Sequence, residues 1–140
     1  MSVYLDASVL VALLTDDAFT LRADALLRAN ASVVIVSDFA AAEFASVIAR
    51  HVRIGDITPN DARIAFSTFD AWTARATQRT ETKAADVTAA EAFLRRLDLA
   101  LRTPDAVNIA IAQRVGATLA TFDHKMIASA RALGTPVAGA

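Results

Sequence analysis

The sequence predicts an α/β fold in which a mostly parallel sheet carries helices on both of its faces. Short β-branched segments alternate with longer amphipathic segments along the chain, which is the pattern of strands joined by helical crossovers. Residues 33–36 form an unbroken Val-Val-Ile-Val run, typical of a strand that is covered on both sides. Helix-start signals stand between the strands, and right-handed crossovers of this kind make the strands parallel.

Length and composition predict one compact domain. The chain has 140 residues, of which 55% are hydrophobic, with only four glycines and three prolines. A chain of this size can enclose a hydrophobic core, and its composition is unlike that of a disordered segment. We therefore expect residues 1–140 to form a single domain.

The first elements combine a short strand with two helices. Val3–Leu5 is β-branched and aromatic, so it predicts a strand that ends at Asp6. Ser8–Leu14 then changes to a helical pattern. A second helix is predicted over Ala18–Ala29, with a buried face made of Leu21, Ala25 and Leu26.

The middle of the chain predicts a strand and two longer helices. After the strand Val33–Val36, Ser37 and Asp38 can cap a helix over Phe39–Val52 that ends near Gly55. Thr58 followed by Pro59 is a strong helix start, and this helix is predicted to reach Arg79. Its apolar residues at helical spacing, expected in the core or at an interface, are Ile64, Phe66, Phe69 and Trp72.

The last part of the chain continues the alternation. Residues 80–85 predict a short edge strand, and a helix follows at about Thr88–Leu97. Thr103-Pro104-Asp105 repeats the helix-start signal for a helix that runs through Val115 and stops at Gly116. The remaining predicted elements are a strand at Thr118–Phe122, a helix at Asp123–Leu133 and a last short strand into which Gly134-Thr135-Pro136-Val137 turns.

Charge and residue content exclude several classes of protein. The formal net charge is −1, so the overall field does not favour a polyanion partner, and a nucleic-acid site has to be local. The absence of cysteine excludes disulfides, thiolate metal sites and cysteine nucleophiles. Apolar stretches stop short of the ~18 residues of a membrane span. We expect a soluble, cytoplasmic protein without membrane association.

Four acidic residues stand where the local pattern predicts interior or the edge of the sheet: Asp6, Glu43, Asp105 and Asp123. Carboxylates are almost never fully buried unless they are paired. Asp6 and Asp123 end predicted strands, and ligands of open parallel sheets bind at that edge. Four carboxylates in one cleft would repel one another unless cations neutralise them, so the pattern indicates a divalent metal site.

Oxygen ligands favour Mg²⁺ or Mn²⁺ over zinc, and His51 and His124 are not spaced as zinc ligands. Hard cations held by carboxylates suit phosphodiester hydrolysis by an activated water. The individual residues also have structural explanations. Asp105 can stabilise a helix start, Asp123 can be an N-cap, and Asp98 is expected to be solvated and is left out of the site.

In sequence the chain resembles the PIN domain ribonucleases, specifically the VapC toxins of bacterial type II toxin-antitoxin pairs. The resemblance covers nearly the whole chain. The motifs that carry it, in their order and spacing, are Tyr4-Leu5-Asp6-Ala7-Ser8, Ser37-Asp38-Phe39 through Glu43, Thr103-Pro104-Asp105-Ala106, and Ala120-Thr121-Phe122-Asp123.

The resemblance implies a three-layer α/β/α PIN-like fold with one or two Mg²⁺ or Mn²⁺ ions. The four acids fall on the family's acidic positions, with Ser8 and Thr121 as supporting polar residues. Asn108 stands where relatives often carry histidine or another polar residue, on the same helix face as Asp105. Such toxins cleave RNA (tRNA, rRNA or mRNA), are commonly homodimers, and are held inactive by a cognate VapB-like antitoxin.

Two other functions stay open at this point. One is a magnesium-dependent phosphatase or phosphoacceptor domain with Asp6 as the nucleophile. Such sites usually add a lysine near the phosphate, and the only lysines are Lys83 and Lys125. The other is a non-catalytic RNA- or protein-binding module, in which the acids are structural and their loss alters folding more than chemistry.

Overall fold

A computed structural model describes residues 1–30 and 33–138. Across these two ranges the chain forms five strands and seven helices. In chain order they are β1 (Ser2–Leu5), α1 (Ala7–Leu14), α2 (Thr20–Asn30), β2 (Val33–Ser37), α3 (Asp38–Arg53), α4 (Pro59–Ala76), β3 (Gln78–Thr80), α5 (Ala84–Leu94), α6 (Thr103–Arg114), β4 (Thr118–Ala120), α7 (His124–Ala132) and β5 (Val137–Ala138).

The strands form one sheet in the order β3-β2-β1-β4-β5, and every neighbouring pair is parallel. The register places Tyr4 of β1 opposite Ile35 of β2 and Leu119 of β4. The predicted α/β fold with a parallel sheet is confirmed, and the described sheet is parallel throughout. Its carboxyl ends therefore meet at one edge.

Two hydrophobic cores lie on opposite faces of the sheet, which confirms the three-layer arrangement. Side chains of a strand alternate between faces, so Val3 and Leu5 point into one core and Tyr4 into the other. Helices α1 to α4 contribute buried residues to the first core, and α5 to α7 to the second. Each carboxylate carried by a helix is thus anchored through that helix to one face of the sheet.

The aromatic residues of α4 pack in the first core. Phe69 stacks on Phe44 with ring centroids 4.7 Å apart, and Phe66 meets the same ring edge-on at 6.4 Å. Trp72 is partly buried against this cluster. Ile64 is 58% exposed and lies outside this core, because the core-facing stripe of α4 runs through Ala62, Ala65 and Phe69.

The buried face of α2 also differs from the prediction. Ala23 and Leu26 are the buried residues, three positions apart on one side of the helix. Leu21 is 83% exposed and Ala25 is exposed, so neither belongs to the predicted core face. The alanine-rich sequence of this helix gives a weak apolar periodicity, and packing against the first core selects the face.

Three predicted boundaries lie elsewhere in the structure. The fourth helix ends at Ala76 instead of Arg79, because Gln78–Thr80 pairs with Ile35–Ser37 as the edge strand β3. Helix α5 begins at Ala84, four residues before the predicted start at Thr88. Strand β4 likewise stops at Ala120, two residues before the predicted end.

The hydrogen bonds of a buried aspartate explain the early start of α5. Asp86 is 2% exposed, and its Oδ2 accepts a hydrogen bond from the Lys83 N–H at 2.8 Å. The Arg114 guanidinium donates to both oxygens of Asp86, at 2.7 and 3.0 Å, and this contact raises the pKa of Arg114. The pair fastens α5 to α6, the helix that carries Asp105 and Asn108.

Of the helices that the structure describes, none is both long and apolar enough to cross a membrane.

Candidate active site

Asp6 lies at the carboxyl end of β1 and is the N-cap of α1. Its Oδ1 accepts hydrogen bonds from the Val9 N–H at 3.2 Å and from the Ser8 hydroxyl at 2.6 Å. Its own N–H donates to the Ala120 carbonyl, which ties it to β4. The residue is 6% exposed, and burial raises the pKa of its carboxyl, while hydrogen bonds from Ser8 and Thr121 oppose this rise.

Ser8 connects Asp6 to the segment after β4. Its Oγ donates to Asp6 and accepts from the Phe122 N–H at 3.0 Å. The Thr121 hydroxyl lies 3.5 Å away and accepts the Asp123 N–H at 3.1 Å. The two hydroxyls predicted as supporting residues therefore link Asp6 to Asp123 through short polar contacts.

Asp123 is an N-cap rather than the end of a strand. Its Oδ1 accepts from the N–H groups of Lys125 and Met126, at 2.9 and 3.2 Å. Strand β4 has already ended at Ala120, so Asp123 lies three residues beyond the sheet and is exposed. The N-cap role that the sequence suggested for Asp123 is confirmed, and it uses one of the two carboxylate oxygens.

Asp105 occupies the first turn of α6. Its Oδ2 accepts a hydrogen bond from the Arg102 N–H at 3.2 Å, so Arg102 is the N-cap residue and Thr103 is the first residue of the helix. Burial raises the pKa of Asp105, and the nearby charge of Asp123 raises it further. The Arg102 hydrogen bond acts in the opposite direction.

Glu43 lies in the second turn of α3, too far along the helix to be a cap. Its Oε1 accepts a hydrogen bond of 2.7 Å from the Asn108 amide nitrogen. Burial raises the pKa of Glu43, and the charges of Asp6 and Asp105 add to the rise, while the Asn108 hydrogen bond opposes it. Glu43 is therefore the residue that couples the acids of β1 and α6.

A buried polar chain holds Asn108 in this position. Asn108 Nδ2 donates to Glu43 and to the Pro104 carbonyl, so Oδ1 must be its acceptor, and Tyr4 O–H donates to that oxygen at 2.5 Å. With its proton committed, the Tyr4 oxygen accepts from the Ser37 hydroxyl at 2.6 Å. Burial raises the pKa of Tyr4, which keeps the phenol protonated as a donor.

Because Tyr4 is hydrogen-bonded to both Asn108 and Ser37, we predict that Tyr4→Phe destabilises the protein. The change leaves a buried Asn108 Oδ1 and a buried Ser37 hydroxyl without their partner, so the free energy of unfolding should fall by about 1–3 kcal/mol. Urea unfolding at fixed pH measures it. Thr88→Val removes an exposed hydroxyl and should change little. An equal, small loss in both variants would contradict a structural role for the Tyr4 phenol.

Electrostatic coupling joins the four acids into one set. Glu43 interacts with Asp6 and Asp105, and Asp105 interacts with Asp123. In the described ranges none of the four takes part in a salt bridge. The nearby charge of Arg102 opposes part of their mutual repulsion at Asp105, although it forms no salt bridge with that carboxylate.

Two pockets border this set. The first, here called the Phe19 pocket, has a volume of about 400 Å³, and its lining includes Ser8, Phe19, Phe122 and Asp123. The second, called the Lys125 pocket, has about 320 Å³ and is lined by Asp105 and Asp123 together with Arg102 and Lys125. Asp123 lines both pockets, so it lies between a mainly apolar pocket and one lined by two acidic and two basic side chains.

The family model of the PIN domain matches residues 3–132. The chain belongs to the PIN domain family. The predicted family is confirmed, and membership in it supports a nuclease activity. A search of curated proteins finds no significant match.

Solved structures similar to this PIN domain include toxins and toxin-antitoxin complexes. The Mycobacterium tuberculosis VapC20, a Sarcin-Ricin loop cleaving toxin, has a TM-score of 0.73 at 20% identity, over 91% of this chain and 94% of that chain. The VapBC2 structure from Rickettsia felis, bound to a promoter DNA fragment, has a TM-score of 0.70 at 15% identity, over 98% of this chain and 97% of that chain. A Klebsiella pneumoniae toxin-antitoxin complex has a TM-score of 0.60 at 21% identity, over 90% of each chain. At these identities the similarity establishes the fold.

The donor chemistry of the PIN domain fits a hard divalent cation. Asp105 and Asp123 each use one carboxylate oxygen in a helix cap, so the other oxygen is available to a ligand. Carboxylate oxygens are the preferred ligands of Mg²⁺ and Mn²⁺. Among the described residues no three His, Cys, Asp or Glu side chains are grouped to coordinate an ion as they stand. Binding would therefore have to draw the coupled carboxylates closer together.

Sequence reasoning missed two residues that support this PIN domain site, Tyr4 and Ser37. A tyrosine in a buried strand was the available signal, because a buried phenol usually has a hydrogen-bond partner. Asn108 does lie beside the acids, in contact with Glu43. Asp98 forms an exposed pair with Arg96 at 3.0 Å, in agreement with its omission from the site.

Proposed function

We propose that this chain is a metal-dependent endoribonuclease that acts as the toxin of a toxin-antitoxin pair. The main support is the set of Asp6, Glu43, Asp105 and Asp123, four coupled carboxylates in a PIN domain, none of which forms a salt bridge in the described ranges. Similarity to VapC20 and to toxin-antitoxin complexes supports the toxin role. We further propose that residues 1–140 are a single PIN domain.

In this proposal the four carboxylates hold Mg²⁺ or Mn²⁺. The bound ion supplies a Lewis acid for the phosphodiester and lowers the pKa of the attacking water. Asp6 is held in place by Ser8 and Val9, and Glu43 by Asn108, so two donors are fixed by hydrogen bonds before an ion arrives. Preorganised donors spare the cost of ordering them during binding.

The chain also offers groups for the substrate. Arg102 and Lys125 line the pocket beside Asp105 and Asp123, so they can contact phosphates next to the scissile bond. A water that attacks the phosphorus must lose a proton, and a carboxylate with a raised pKa, such as Glu43 or Asp105, is suited to accept it. The product is a hydrolysed phosphodiester without a covalent enzyme intermediate.

The proposed partners follow from the family resemblance. The substrate is an RNA (tRNA, rRNA or mRNA), the inhibitor is a VapB-like antitoxin, and the toxin is a homodimer in the cytoplasm. The printed descriptions of the similar structures include VapBC and toxin-antitoxin complexes, which supports an antitoxin partner.

One observation favours a second function, that of a phosphoacceptor domain with Asp6 as the nucleophile. Lys125 lies beside Asp105 and Asp123, so the sequence-based objection that a lysine is missing from the site is weakened. Against this function, Asp6 is 6% exposed and its Oδ1 already accepts two hydrogen bonds. A mass spectrum of the protein after incubation with acetyl phosphate and Mg²⁺ tests this second function, because a phosphoacceptor gains an acyl phosphate on Asp6.

The proposed nuclease is tested by incubating the purified protein with total cellular RNA in Mg²⁺ or Mn²⁺ and then with EDTA. The expected result is a small number of discrete cuts, mapped by end sequencing, that disappear with the chelator. A folded protein that makes no cut in either metal would contradict the nuclease, and cuts that persist in EDTA would contradict its metal dependence.

A further inference from the structure

An aromatic cluster beside the acids has no part in the function described so far. Phe19, at the entry to α2, stacks on Phe122 with ring centroids 5.2 Å apart and planes inclined by 18°. The Arg22 guanidinium carbon lies 5.2 Å from both centroids, so the three groups form a nearly equilateral triangle. The segments they join are about a hundred residues apart in sequence.

Packing explains only part of this cluster. Phe122 is partly buried against the first core, whereas Phe19 is 41% exposed and lies outside the core. Leaving an aromatic ring in water forgoes much of the free energy that its burial would supply. The Phe122 ring and Arg22 lie against Phe19, and both aromatic rings line the Phe19 pocket.

The position of the pocket connects it to the candidate site. Ser8 and Asp123 line it, and Ser8 donates a hydrogen bond to Asp6. A phosphodiester held by the acids would therefore bring the adjacent nucleoside to the mouth of this pocket. On the other side of Asp123, Arg102 and Lys125 can follow the phosphate backbone.

We propose that the Phe19 pocket is a subsite for an unpaired nucleobase next to the scissile phosphate of the RNA. The base stacks on Phe19, and Arg22 lies beside the stack where it can attract the phosphate backbone. Aromatic side chains with a nearby cation are a recurrent platform for single-stranded nucleic acid. The proposal rests on the endoribonuclease function and adds that the nucleotide at the cut is unpaired.

The side chains around the pocket suit a nucleobase. A base has a π face for Phe19 and N–H donors for the carboxylate of Asp17, which lines the pocket. Arg22 lies against both rings, where its charge can offset the repulsion between the acids and the phosphates of RNA. Asp17 and Asp123 would repel an acidic peptide, so a neutral or basic peptide is the alternative occupant, and the experiment below distinguishes it from RNA.

The experiment combines a protein change with an RNA change. The probe is a short synthetic RNA that spans a cut mapped in total RNA, with the nucleotide on either side of the scissile phosphate replaced in turn by an abasic ribonucleotide. Cleavage is measured for the wild type, Phe19→Ala and Phe19→Trp. The control is Leu21→Ala, which removes an exposed apolar side chain of α2 that does not line the pocket.

Phe19→Ala should raise KM by about 5- to 100-fold with kcat little changed, since it removes a base-stacking contact that is made equally in the ground and transition states. Phe19→Trp should retain wild-type KM, as should Leu21→Ala. In the wild type, one of the two abasic replacements should raise KM by a similar factor. In Phe19→Ala the same replacement should raise KM little further, because the protein change and the RNA change remove the same contact.

A wild-type KM for Phe19→Ala overturns the base subsite and leaves the pocket to a protein partner. Fully additive effects of Phe19→Ala and both abasic replacements overturn it as well. The abasic arm uses the unaltered protein, so a folding defect of Phe19→Ala cannot imitate the expected result. An absence of any cut in total RNA is a different outcome, since it removes the nuclease and the subsite together.

Discussion

Asp6→Asn is expected to abolish metal-dependent RNA cleavage while it leaves the fold in place. Asparagine keeps an Oδ1 that can accept from Val9 and Ser8, so the cap of α1 is retained. What is lost is the negative charge next to Glu43. Loss of a partner that only orients a metal ligand already costs 10- to 100-fold in affinity or activity, so loss of a ligand should cost about 100-fold or more.

The same variant should be more stable than the wild type when metal is absent. Burial raises the pKa of Asp6 above its unfolded value, so the ionised form destabilises the folded state at neutral pH. Removing that charge should raise the melting temperature in EDTA at pH 7 by a few degrees. With Mn²⁺ the wild type should regain the advantage, because an ion that binds only the folded state stabilises it.

Asp98→Asn is the matched control, because Asp98 is exposed and pairs with Arg96 away from the coupled acids. It should leave cleavage unchanged and the melting temperature nearly so. If Asp6→Asn melts much earlier than the wild type in EDTA, the carboxylate is structural, as the non-catalytic binding module predicts. If it cleaves RNA at the wild-type rate, Asp6 is not a metal ligand of the reaction.

Local signals in the sequence were sufficient for most elements of the fold. The Val33–Val36 run and the start at Thr58-Pro59 were read correctly, since β-branching and capping act over a few residues. Where the prediction failed, a distant partner decided. Residues 78–80 leave the helical pattern only because Ile35–Ser37 offers a free edge for parallel pairing.

The candidate site also has one part that local sequence signals predict and another part that depends on contacts between distant residues. Its four acids could be listed from sequence because charge in an apolar context is a local anomaly, and their catalytic role stays a prediction. The contact between Glu43 and Asn108 spans 65 residues, and that between Tyr4 and Asn108 spans 104. No local pattern encodes such distances, so the network that orients Glu43 emerges only in the folded chain. Phe19 and Phe122 are separated similarly.

Glu43→Gln is expected to lower RNA cleavage strongly while it preserves the fold, so it distinguishes a catalytic role of the carboxylate from a structural one. Glutamine can still present Oε1 to the Asn108 amide, so the chain from Asn108 to Tyr4 is preserved. The charge that interacts with Asp6 and Asp105 is removed. Cleavage should fall by about 100-fold or more, for the reason given for Asp6.

The stability of Glu43→Gln should change in the opposite direction and depend on pH. The folded pKa of Glu43 is raised above 4.5, so its ionisation destabilises the native state at neutral pH. The variant should gain about 0.5–1 kcal/mol at pH 7 in EDTA, a small value because Glu43 is partly exposed and water screens its charge. As the pH falls toward 4.5 the Glu43 carboxyl of the folded wild type becomes protonated, and the gain should shrink.

Urea unfolding of both proteins from pH 7 to 4.5, with and without Mn²⁺, measures this difference, and Glu91→Gln is the control. Glu91 is an exposed glutamate paired with Arg95, so its neutralisation should produce no such pH-dependent gain. Metal should stabilise the wild type more than Glu43→Gln, because the variant has lost a ligand. A variant that is less stable at pH 7 without metal, and equally stabilised by metal, would mean that the Glu43 charge serves the fold and not an ion.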